Sequence, residues 1–442
     1  MTEFDGSVLP DNPPERAYLV GLVRDSYTED QAAESLAELE RLVDSAGGDI
    51  IGTTLVRLRN PHPATLISKG HLENIADEVA AHESDLVVID DDLSPVQQRN
   101  LEKTFETRVV TRTEVILDIF ATHANTRESM TQVELAQLRY HMPRLIGAGI
   151  ASARMGGVGA GASGGIATRG PGETQLEVDR RRIRSRVRRL EETLKEIEKQ
   201  RQTQRRRRQR SNLPMVGLVG YTNAGKSTLL NQLTHAGVLA QDRLFSTLDS
   251  TVRSLSLPNG MEVGLIDTVG FVSKLPPTLV AAFHATLEEI VYADLIIHVV
   301  DSTSHRLDEE FEATDEILKE LNCDQTQRLT VWNKIDLMDD PVAVAGLELR
   351  RTPSAVISAL KGKGIDELLE KMQTMLMADA KTVELRVPYD HYDLVARLHR
   401  ESRVLETRDA PKGELLRCRI GPELQNVVKP YLIDEWPEEE ES

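Results

Sequence analysis

The chain has 442 residues, a formal net charge of −18 and only 4% aromatic residues. This length suggests about three domains. Its two cysteines, Cys323 and Cys418, are too few for a disulfide framework or a cysteine metal cluster, so we expect a reducing, cytoplasmic setting. Residues 1–15 are acidic, and no run approaches about 18 apolar residues, so we expect a soluble protein without signal peptide or membrane span.

Residues 1–125 are predicted to form a small α/β domain. Strand-like runs at 17–23, 51–56 and 85–89 alternate with amphipathic helical stretches at 30–44, 70–81 and 94–105. Such alternation favours a parallel sheet with helical crossovers. The aspartates at 90–92 follow the third run and could bind a metal or a nucleotide, although a solvated turn beside a helix cap is the preferred interpretation.

Residues 126–212 predict an antiparallel helical hairpin. The first helix carries an apolar stripe of Leu135, Leu138, Met142 and Leu145. The second begins near Glu173 and carries a heptad seam of Leu176, Ile183, Val187, Leu190, Leu194 and Ile197. A glycine-rich stretch at 147–172 lies between them and is predicted to form the tip of the hairpin. The rival interpretation is a parallel coiled-coil dimer.

The second helix is strongly basic. Residues 180–210 hold 15 Arg and Lys against four Glu, a local charge of +11 that leaves −29 for the rest of the chain. This segregation indicates a basic arm on an acidic body. The scarcity of aromatic residues favours contact with the phosphates and shape of a folded RNA over base stacking.

The glycine-rich stretch contains a formal G-x-G-x-x-G at 159–164. No strand precedes this motif and no helix opens at Gly164, so we reject a dinucleotide site. The stretch could be a flexible linker. The alternative is that Arg154 and Arg169 make this stretch a basic tip, which approaches an RNA backbone closely.

Residues 220–228 form a complete phosphate loop, G-x-x-x-x-G-K-S, after the apolar run 214–219. Its backbone amides can surround a phosphate, Lys226 can bridge the β- and γ-phosphates, and the Ser227 hydroxyl can bind Mg²⁺. The predicted nucleotide contacts are Gly220, Tyr221, Thr222, Asn223, Ala224, Gly225, Lys226, Ser227 and Thr228.

Two further segments predict contacts to the γ-phosphate and Mg²⁺. The apolar run 263–266 ends in D-x-x-G, formed by Asp267, Thr268, Val269 and Gly270. Asp267 can hold Mg²⁺ through water, and the Gly270 amide can sense the γ-phosphate. The first switch is predicted at Phe245, Ser246, Thr247, Leu248 and Asp249. Thr247 is the expected Mg²⁺ ligand there, with Thr251 as the competitor. Lys226, Thr247 and Gly270 are the predicted catalytic residues.

The base is predicted to be guanine. An N-K-x-D set follows an apolar strand and consists of Asn333, Lys334, Ile335 and Asp336. The Asp336 carboxylate can accept from the N1–H and the exocyclic amine of guanine, an arrangement that adenine does not offer. Downstream, a backbone amide of Ser358, Ala359 and Leu360 is expected to meet the guanine O6.

Phe271 departs from a common pattern. Many GTPases place a glutamine directly after the D-x-x-G glycine, here Gly270, where it orients the attacking water. A phenyl ring cannot do this. Phe271 could instead only pack the switch. Both interpretations predict slow hydrolysis by the protein alone and activation from outside the active site.

The fold class is therefore α/β, with a P-loop GTPase domain at 213–378 after the small α/β domain and the hairpin. Residues 379–442 predict a small C-terminal α/β domain with strand-like runs at 382–387 and 415–420 and an acidic tail.

The run 169–181, R-G-P-G-E-T-Q-L-E-V-D-R-R, followed by this GTPase domain, closely resembles the HflX family of translation-associated GTPases. The resemblance covers nearly the whole chain. It implies GTP hydrolysis, Mg²⁺ held by Ser227 and Thr247, and binding to the large ribosomal subunit and its rRNA. It further implies a hairpin loop that reaches toward the peptidyl transferase centre, and a role in rescuing, splitting or recycling stalled ribosomes under stress. Residues 156–167 make this loop longer than the family's usual one.

Three functions remain open on the residues alone. The first is a ribosome-activated GTPase, expected to act as a monomer. The second is a GTPase switch that acts on another structured RNA or RNA enzyme. The third is a protein-only GTP switch whose basic helix is an interaction or dimerisation surface.

Overall fold

The computed structural model describes residues 13–24, 28–155, 175–210, 213–234, 245, 252–272, 289–378 and 381–433. The described residues form two compact units, one up to Lys195 and one from Glu196 onward. Among these residues, no helix is long and apolar enough to cross a membrane.

The N-terminal part is an α/β domain with a four-stranded parallel sheet in the order β2-β1-β3-β4. Its strands are β1 (Arg16–Arg24), β2 (Asp49–Leu58), β3 (Leu86–Ile89) and β4 (Arg108–Thr111). Its helices are α1 (Glu29–Ser45), α2 (Lys69–Ala81), α3 (Pro95–Phe105) and α4 (Arg112–His123). Capping boxes at Thr28, Ser94 and Thr111 fix the starts of α1, α3 and α4. The parallel sheet is confirmed, and β4 is an additional strand.

The first aspartate after β3, Asp90, is not part of a solvated turn. Asp90 is 1% exposed and accepts from Arg112 at 2.8 Å and from the Ser35 hydroxyl at 2.6 Å. A second carboxylate, Glu38, lies 3.1 Å from the Arg112 guanidinium. A buried carboxylate is tolerated only when it is paired and hydrogen-bonded, and Arg112 and Ser35 meet that requirement for Asp90. The solvated-turn interpretation was therefore wrong for Asp90, whereas the predicted cap is present at Ser94.

Two long helices follow, α5 (Arg127–Met155) and α6 (Gln175–Arg210). The glycine-rich stretch was predicted to begin at Gly147, but α5 continues to Met155, because glycine weakens a helix by only about 1 kcal/mol and does not end it. Ion pairs join the two helices at Glu134–Arg186 and Arg139–Glu191. Their antiparallel course stays a prediction, and the loop at 156–174 lies outside the described residues.

The exposure pattern of α6 agrees with its sequence. Leu190 is buried, Ile183, Val187 and Ile197 are less exposed than their neighbours, and Leu194 is half-buried. The arginines of the first half are exposed: Arg180, Arg181, Arg182, Arg184, Arg186, Arg188 and Arg189. The helix therefore has one apolar seam and a cationic surface.

The next domain has a six-stranded sheet in the order β10-β9-β8-β5-β7-β6, in which only β6 is antiparallel to its neighbour among the described strands. The strands are β5 (Met215–Val219), β6 (Val252–Ser256), β7 (Glu262–Ile266), β8 (Leu295–Asp301), β9 (Arg328–Asn333) and β10 (Ser354–Val356). The helices are α7 (Lys226–Thr234), α8 (Leu307–Glu320), α9 (Pro341–Arg350) and α10 (Ile365–Leu376). Short 3-10 helices lie at Ile290–Tyr292 and Ile335–Leu337.

The C-terminal part is a three-stranded antiparallel sheet in the order β11-β13-β12. It comprises β11 (Lys381–Val387), β12 (Arg403–Ala410) and β13 (Gly413–Ile420), with helices α11 (Tyr392–Glu401) and α12 (Pro422–Val428). Two 3-10 helices lie at Tyr389–His391 and Lys429–Tyr431. The two predicted strands are present, and β12 is a third that the sequence analysis missed.

Candidate functional site

Lys226 is the central cation of the site. It begins α7 directly after the loop that follows β5, and its Nζ donates to the carbonyls of Gly220 at 2.9 Å and Tyr221 at 2.8 Å. Burial lowers the pKa of this ammonium to about 8, and the negative charge of Asp267 partly opposes that shift. The ammonium is thus held at the mouth of a loop whose amides can bind an anion.

Two glycines are required by close approach. A side chain at Gly225, which has φ +93°, would place its Cβ 2.2 Å from the Asn333 amide nitrogen. A Cβ at Gly270 would lie 2.8 Å from Thr222 Cγ2 and 2.9 Å from Lys226 Nζ. The D-x-x-G backbone therefore lies directly against the phosphate loop.

Asp267 and Thr268 follow β7 at the carboxyl end of the sheet. Both are 1% exposed, and the Thr268 hydroxyl donates to the Leu218 carbonyl at 2.6 Å, which ties this segment to β5. Ser227 lies in the first turn of α7, next to Lys226. The Asp267 carboxylate and the Ser227 hydroxyl are hard oxygen donors of the kind that Mg²⁺ takes.

Phe271 is packed into the core. Its side chain is 2% exposed and lies in a cluster with Val219, Tyr221, Ile290, Ala293, Ile296, Leu318, Leu321 and Cys323. Its amide donates to the Gly220 carbonyl at 3.1 Å, and its carbonyl accepts from the Thr222 amide at 2.7 Å. The structure therefore agrees with the packing interpretation of Phe271.

Asn333 joins three segments, namely the phosphate loop, its own N-K-x-D segment and the loop that contains Ala359. Its amide donates to the Ala224 carbonyl at 2.8 Å and its carbonyl oxygen accepts from the Ala359 amide at 2.9 Å. Asn333 is 2% exposed, so these bonds fix the loops against one another without solvent competition.

Asp336 is oriented by the neighbouring loop. The Ser358 hydroxyl donates to Asp336 Oδ1 at 2.5 Å and itself accepts from the Lys361 amide at 3.1 Å. The Ser358 amide donates to the Lys363 carbonyl. Because the Ser358 and Ala359 amides are engaged within the protein, Leu360 holds the one remaining amide of the predicted O6 contact.

Comparison with known proteins shows the family to which the chain belongs. Residues 33–121 match the model of the GTP-binding GTPase N-terminal domain, 123–208 the GTP-binding GTPase middle region, and 215–334 the 50S ribosome-binding GTPase. The GTPase HflX of Caldanaerobacter subterraneus subsp. tengcongensis is 43% identical over 419 residues, which cover 95% of this chain and 94% of that protein. The chain belongs to the HflX family of GTPases. It hydrolyses GTP.

Two further similarities extend the comparison. The GTPase HflX of Escherichia coli K12 is 41% identical over 368 residues, which cover 83% of this chain and 85% of that protein. The crystal structure of a GTP-binding protein from Sulfolobus solfataricus in complex with GDP is 25% identical, with a TM-score of 0.43. That similarity covers 82% of this chain and 98% of the archaeal one.

Part of the predicted site of this HflX-family GTPase lies outside the described residues. This applies to Ser246, Thr247, Leu248 and Asp249, and to the competitor Thr251. Phe245 is described and is 3% exposed with φ +58°. The Mg²⁺ ligand predicted on the first switch therefore stays a prediction.

The sequence analysis missed one residue beside the N-K-x-D segment. Asp301 ends β8, and its carboxylate lies 2.8 Å from the Lys334 ammonium. This contact fixes Lys334, which has φ +66°. No motif marks Asp301, but its place at the carboxyl end of a central parallel strand is a signal that could have found it.

The lowered pKa of Lys226 predicts a pH dependence of nucleotide affinity. Only the ammonium form attracts phosphate, and a bound phosphate raises its pKa, so affinity is highest below pH 8 and falls as the pH rises through about 8. The fall cannot exceed about tenfold per pH unit for one proton. Titration of GDP and GTP between pH 7 and 9 measures it.

The matched variant is Lys226→Arg, because a guanidinium stays charged over this range. Deprotonation of the guanine base affects both proteins equally, so the difference between them isolates the lysine. Identical pH profiles would contradict the assignment of Lys226 to the phosphates.

Proposed function

We propose that this GTPase binds the large ribosomal subunit and couples GTP hydrolysis to the rescue, splitting or recycling of stalled ribosomes under stress. The observation that carries the proposal is the pairing of a guanine-nucleotide site with the exposed arginines of α6, in a chain whose remaining residues are strongly acidic. An acidic body discourages indiscriminate contact with polyanions and favours one directed contact.

Two further findings support a ribosomal partner. Residues 215–334 match a family described as a 50S ribosome-binding GTPase, and the relatives compared above are GTPases of the HflX family. Arginine on one helical surface suits the phosphates of a folded RNA, because shape and backbone recognition need few aromatic residues.

The proposed roles at the site follow its geometry. Lys226 binds the β- and γ-phosphates, and the Gly270 amide senses the γ-phosphate. Asp336 reads the guanine edge, and the Leu360 amide donates to O6. Mg²⁺, where bound, is held by Ser227, Thr247 and Asp267 and neutralises charge on the phosphate oxygens.

The proposed organisation has four parts: 1–125, the hairpin 126–212, the GTPase domain 213–378 and the C-terminal domain 379–442. We place the protein in the cytoplasm as a monomer.

The proposal is tested by cosedimentation with purified large subunits in a non-hydrolysable GTP analogue and in GDP. We expect binding in the GTP state and weaker binding in GDP. Small subunits and an unrelated structured RNA are the controls. Equal binding to the unrelated RNA would favour a switch on another RNA, and absence of binding to large subunits in either nucleotide would contradict the proposal.

The glycine-rich loop is predicted to carry the stimulus from the ribosome. Deleting residues 156–165 should leave basal hydrolysis and GTP affinity nearly unchanged, because the loop lies outside the GTPase domain in the sequence. Stimulation of turnover by large subunits, or subunit splitting, should fall. The measurement is multiple-turnover GTPase rate with and without large subunits for both proteins. Full stimulation and normal splitting by the deletion variant would contradict this prediction.

The basic helix is predicted to contact RNA phosphates. Replacing Arg205, Arg206, Arg207 and Arg208 by glutamine should weaken binding to large subunits and flatten its salt dependence, because fewer counterions are released. The slope of log affinity against log salt should fall by roughly one for each phosphate that the helix no longer neutralises. Binding across a salt series measures it.

The matched control removes the same charge from the acidic body. Its four substitutions to glutamine are at the exposed lysines Lys69, Lys103, Lys319 and Lys412. If the two quadruple variants lose affinity equally, the helix makes no directed contact. Unchanged affinity of the arginine variant at every salt concentration would favour the coiled-coil interpretation of this helix.

A further inference from the structure

Helix α6 makes a charged contact with a residue of the GTPase domain. Its residues from Glu196 onward belong to the same compact unit as that domain. Within this unit, Arg201 Nη1 lies 4.0 Å from Glu289 Oε1. This distance is longer than a hydrogen bond, so the contact is mainly Coulombic. The Glu289 side chain is only 7% exposed and that of Arg201 is 21% exposed, so solvent screens the pair weakly.

Glu289 directly precedes a segment that contributes Ile290 to the hydrophobic cluster of Phe271. The 3-10 helix Ile290–Tyr292 begins at the next residue, and Ile290 is 0% exposed within the cluster that holds Phe271. Interiors are close-packed and transmit displacement, so a movement of the phenyl ring is passed through this cluster toward Ile290. The position of Glu289 is therefore linked to that of Phe271 through the cluster that includes Ile290.

Phe271 is linked in turn to the phosphate loop. Its two backbone hydrogen bonds reach Gly220 and Thr222, and the preceding residue, Gly270, lies against Lys226. A Cβ at Gly270 would come within 2.9 Å of the Lys226 Nζ, so a γ-phosphate that binds this ammonium must enter space beside the Gly270 backbone. Lys226 is therefore linked through Gly270 and Phe271, and through the hydrophobic cluster that includes Ile290, to Glu289 and Arg201.

We infer that Arg201 and Glu289 are positioning residues that couple helix α6 to the γ-phosphate site. With a γ-phosphate present, the shift of Gly270 and Phe271 repositions Ile290 and the adjoining carboxylate, which changes how strongly Glu289 holds Arg201. The coupling free energy between two binding sites is reciprocal. A ligand that displaces α6 therefore changes the binding of the γ-phosphate beside Gly270 by the same free energy. The contact gives a route by which a ligand on the basic helix can regulate hydrolysis, and that consequence rests on the proposed function.

The first test needs no ribosome. Hydrogen–deuterium exchange is measured for peptides covering 196–210 in the full chain, once with GDP and once with a non-hydrolysable GTP analogue. We expect the two nucleotides to give different exchange in the wild type. Glu289→Gln and Arg201→Gln should each abolish that difference. Either substitution removes one charge of the Glu289–Arg201 pair, whose attraction the γ-phosphate changes.

The matched control is Lys199→Gln, which removes a charge from an exposed position on the same helix. It should keep the nucleotide-dependent difference. Glu289→Gln combined with Arg201→Gln should behave like either single variant, and the exchanged pair Glu289→Arg with Arg201→Glu should restore part of the difference. A purely structural role would predict a lower melting temperature and no such rescue.

Two outcomes of the exchange experiment overturn the inference. One is wild-type exchange at 196–210 that does not depend on the γ-phosphate. The other is a nucleotide difference that survives in both Glu289→Gln and Arg201→Gln.

A second test separates this inference from the proposed function. With saturating large subunits, Glu289→Gln should lower the stimulated kcat about tenfold, within the usual range of coupling energies, while KM for GTP and cosedimentation change little. Stimulation that is equal in wild type and variant contradicts the coupling alone. Failure of large subunits to bind or stimulate the wild type contradicts the proposed function, and the exchange experiment still decides the coupling.

Discussion

Replacing Lys226 by alanine is expected to lower GTP turnover by at least about 10²- to 10³-fold, both for the protein alone and with large subunits. The ammonium is buried and held by the carbonyls of Gly220 and Tyr221, so it needs little reorganisation to meet developing charge on the phosphates. Single-turnover hydrolysis at saturating GTP measures the chemical step apart from nucleotide affinity.

The control for this variant is Lys319→Ala, which removes an exposed lysine from α8 in the same domain. Its turnover should match the wild type. Thermal unfolding of both variants shows whether the loss of turnover reflects the site or the fold. A folded Lys226→Ala protein with wild-type turnover would place the chemistry elsewhere.

The phosphate-loop region was predictable because its signal is local. A short apolar run, a glycine-rich turn and the amphipathic first residues of a helix occur within about 20 residues of one another. The sequence therefore shows the strand, the loop and the start of the helix in one local segment. The guanine assignment uses an equally local signal, since Asn333 and Asp336 belong to one tetrapeptide, and it stays a prediction.

Strands β4 and β12 were not predictable from local pattern. Strand β4 has only two apolar residues, Val109 and Val110, between polar ones, so it shows neither an apolar run nor an alternation. The sequence of β12 is largely polar, and it forms a strand because it pairs with β13, where Glu406 lies 2.9 Å from Arg417. Cross-strand contacts of this kind override a weak intrinsic preference.

Long-range pairing explains the remaining differences. Asp90 is buried because Arg112 and Ser35 approach it from other elements, and no spacing in the sequence announces such partners. The two interpretations of Phe271 could likewise be separated only by its burial in a cluster with Ile290 and other core residues, which lie in distant segments.

Replacing Asp336 by asparagine is expected to reduce GTP affinity by on the order of 10²-fold or more and to shift the preference toward xanthine nucleotides. The Ser358 hydroxyl donates to Asp336 Oδ1 at 2.5 Å and can make the same bond to the asparagine oxygen. The new amide nitrogen then takes the place of Oδ2. It can donate to the 2-oxo group of xanthine but opposes the exocyclic amine of guanine.

Competition titrations of GTP, XTP and ATP against a fluorescent GDP measure this shift. Asp339→Asn is the matched control, because it removes an exposed carboxylate three residues further along and should keep the wild-type order of affinities. ATP should bind weakly to all three proteins, since adenine lacks the donors that Asp336 accepts. If Asp336→Asn still prefers GTP to XTP, Asp336 does not read the base and the guanine assignment loses its main support.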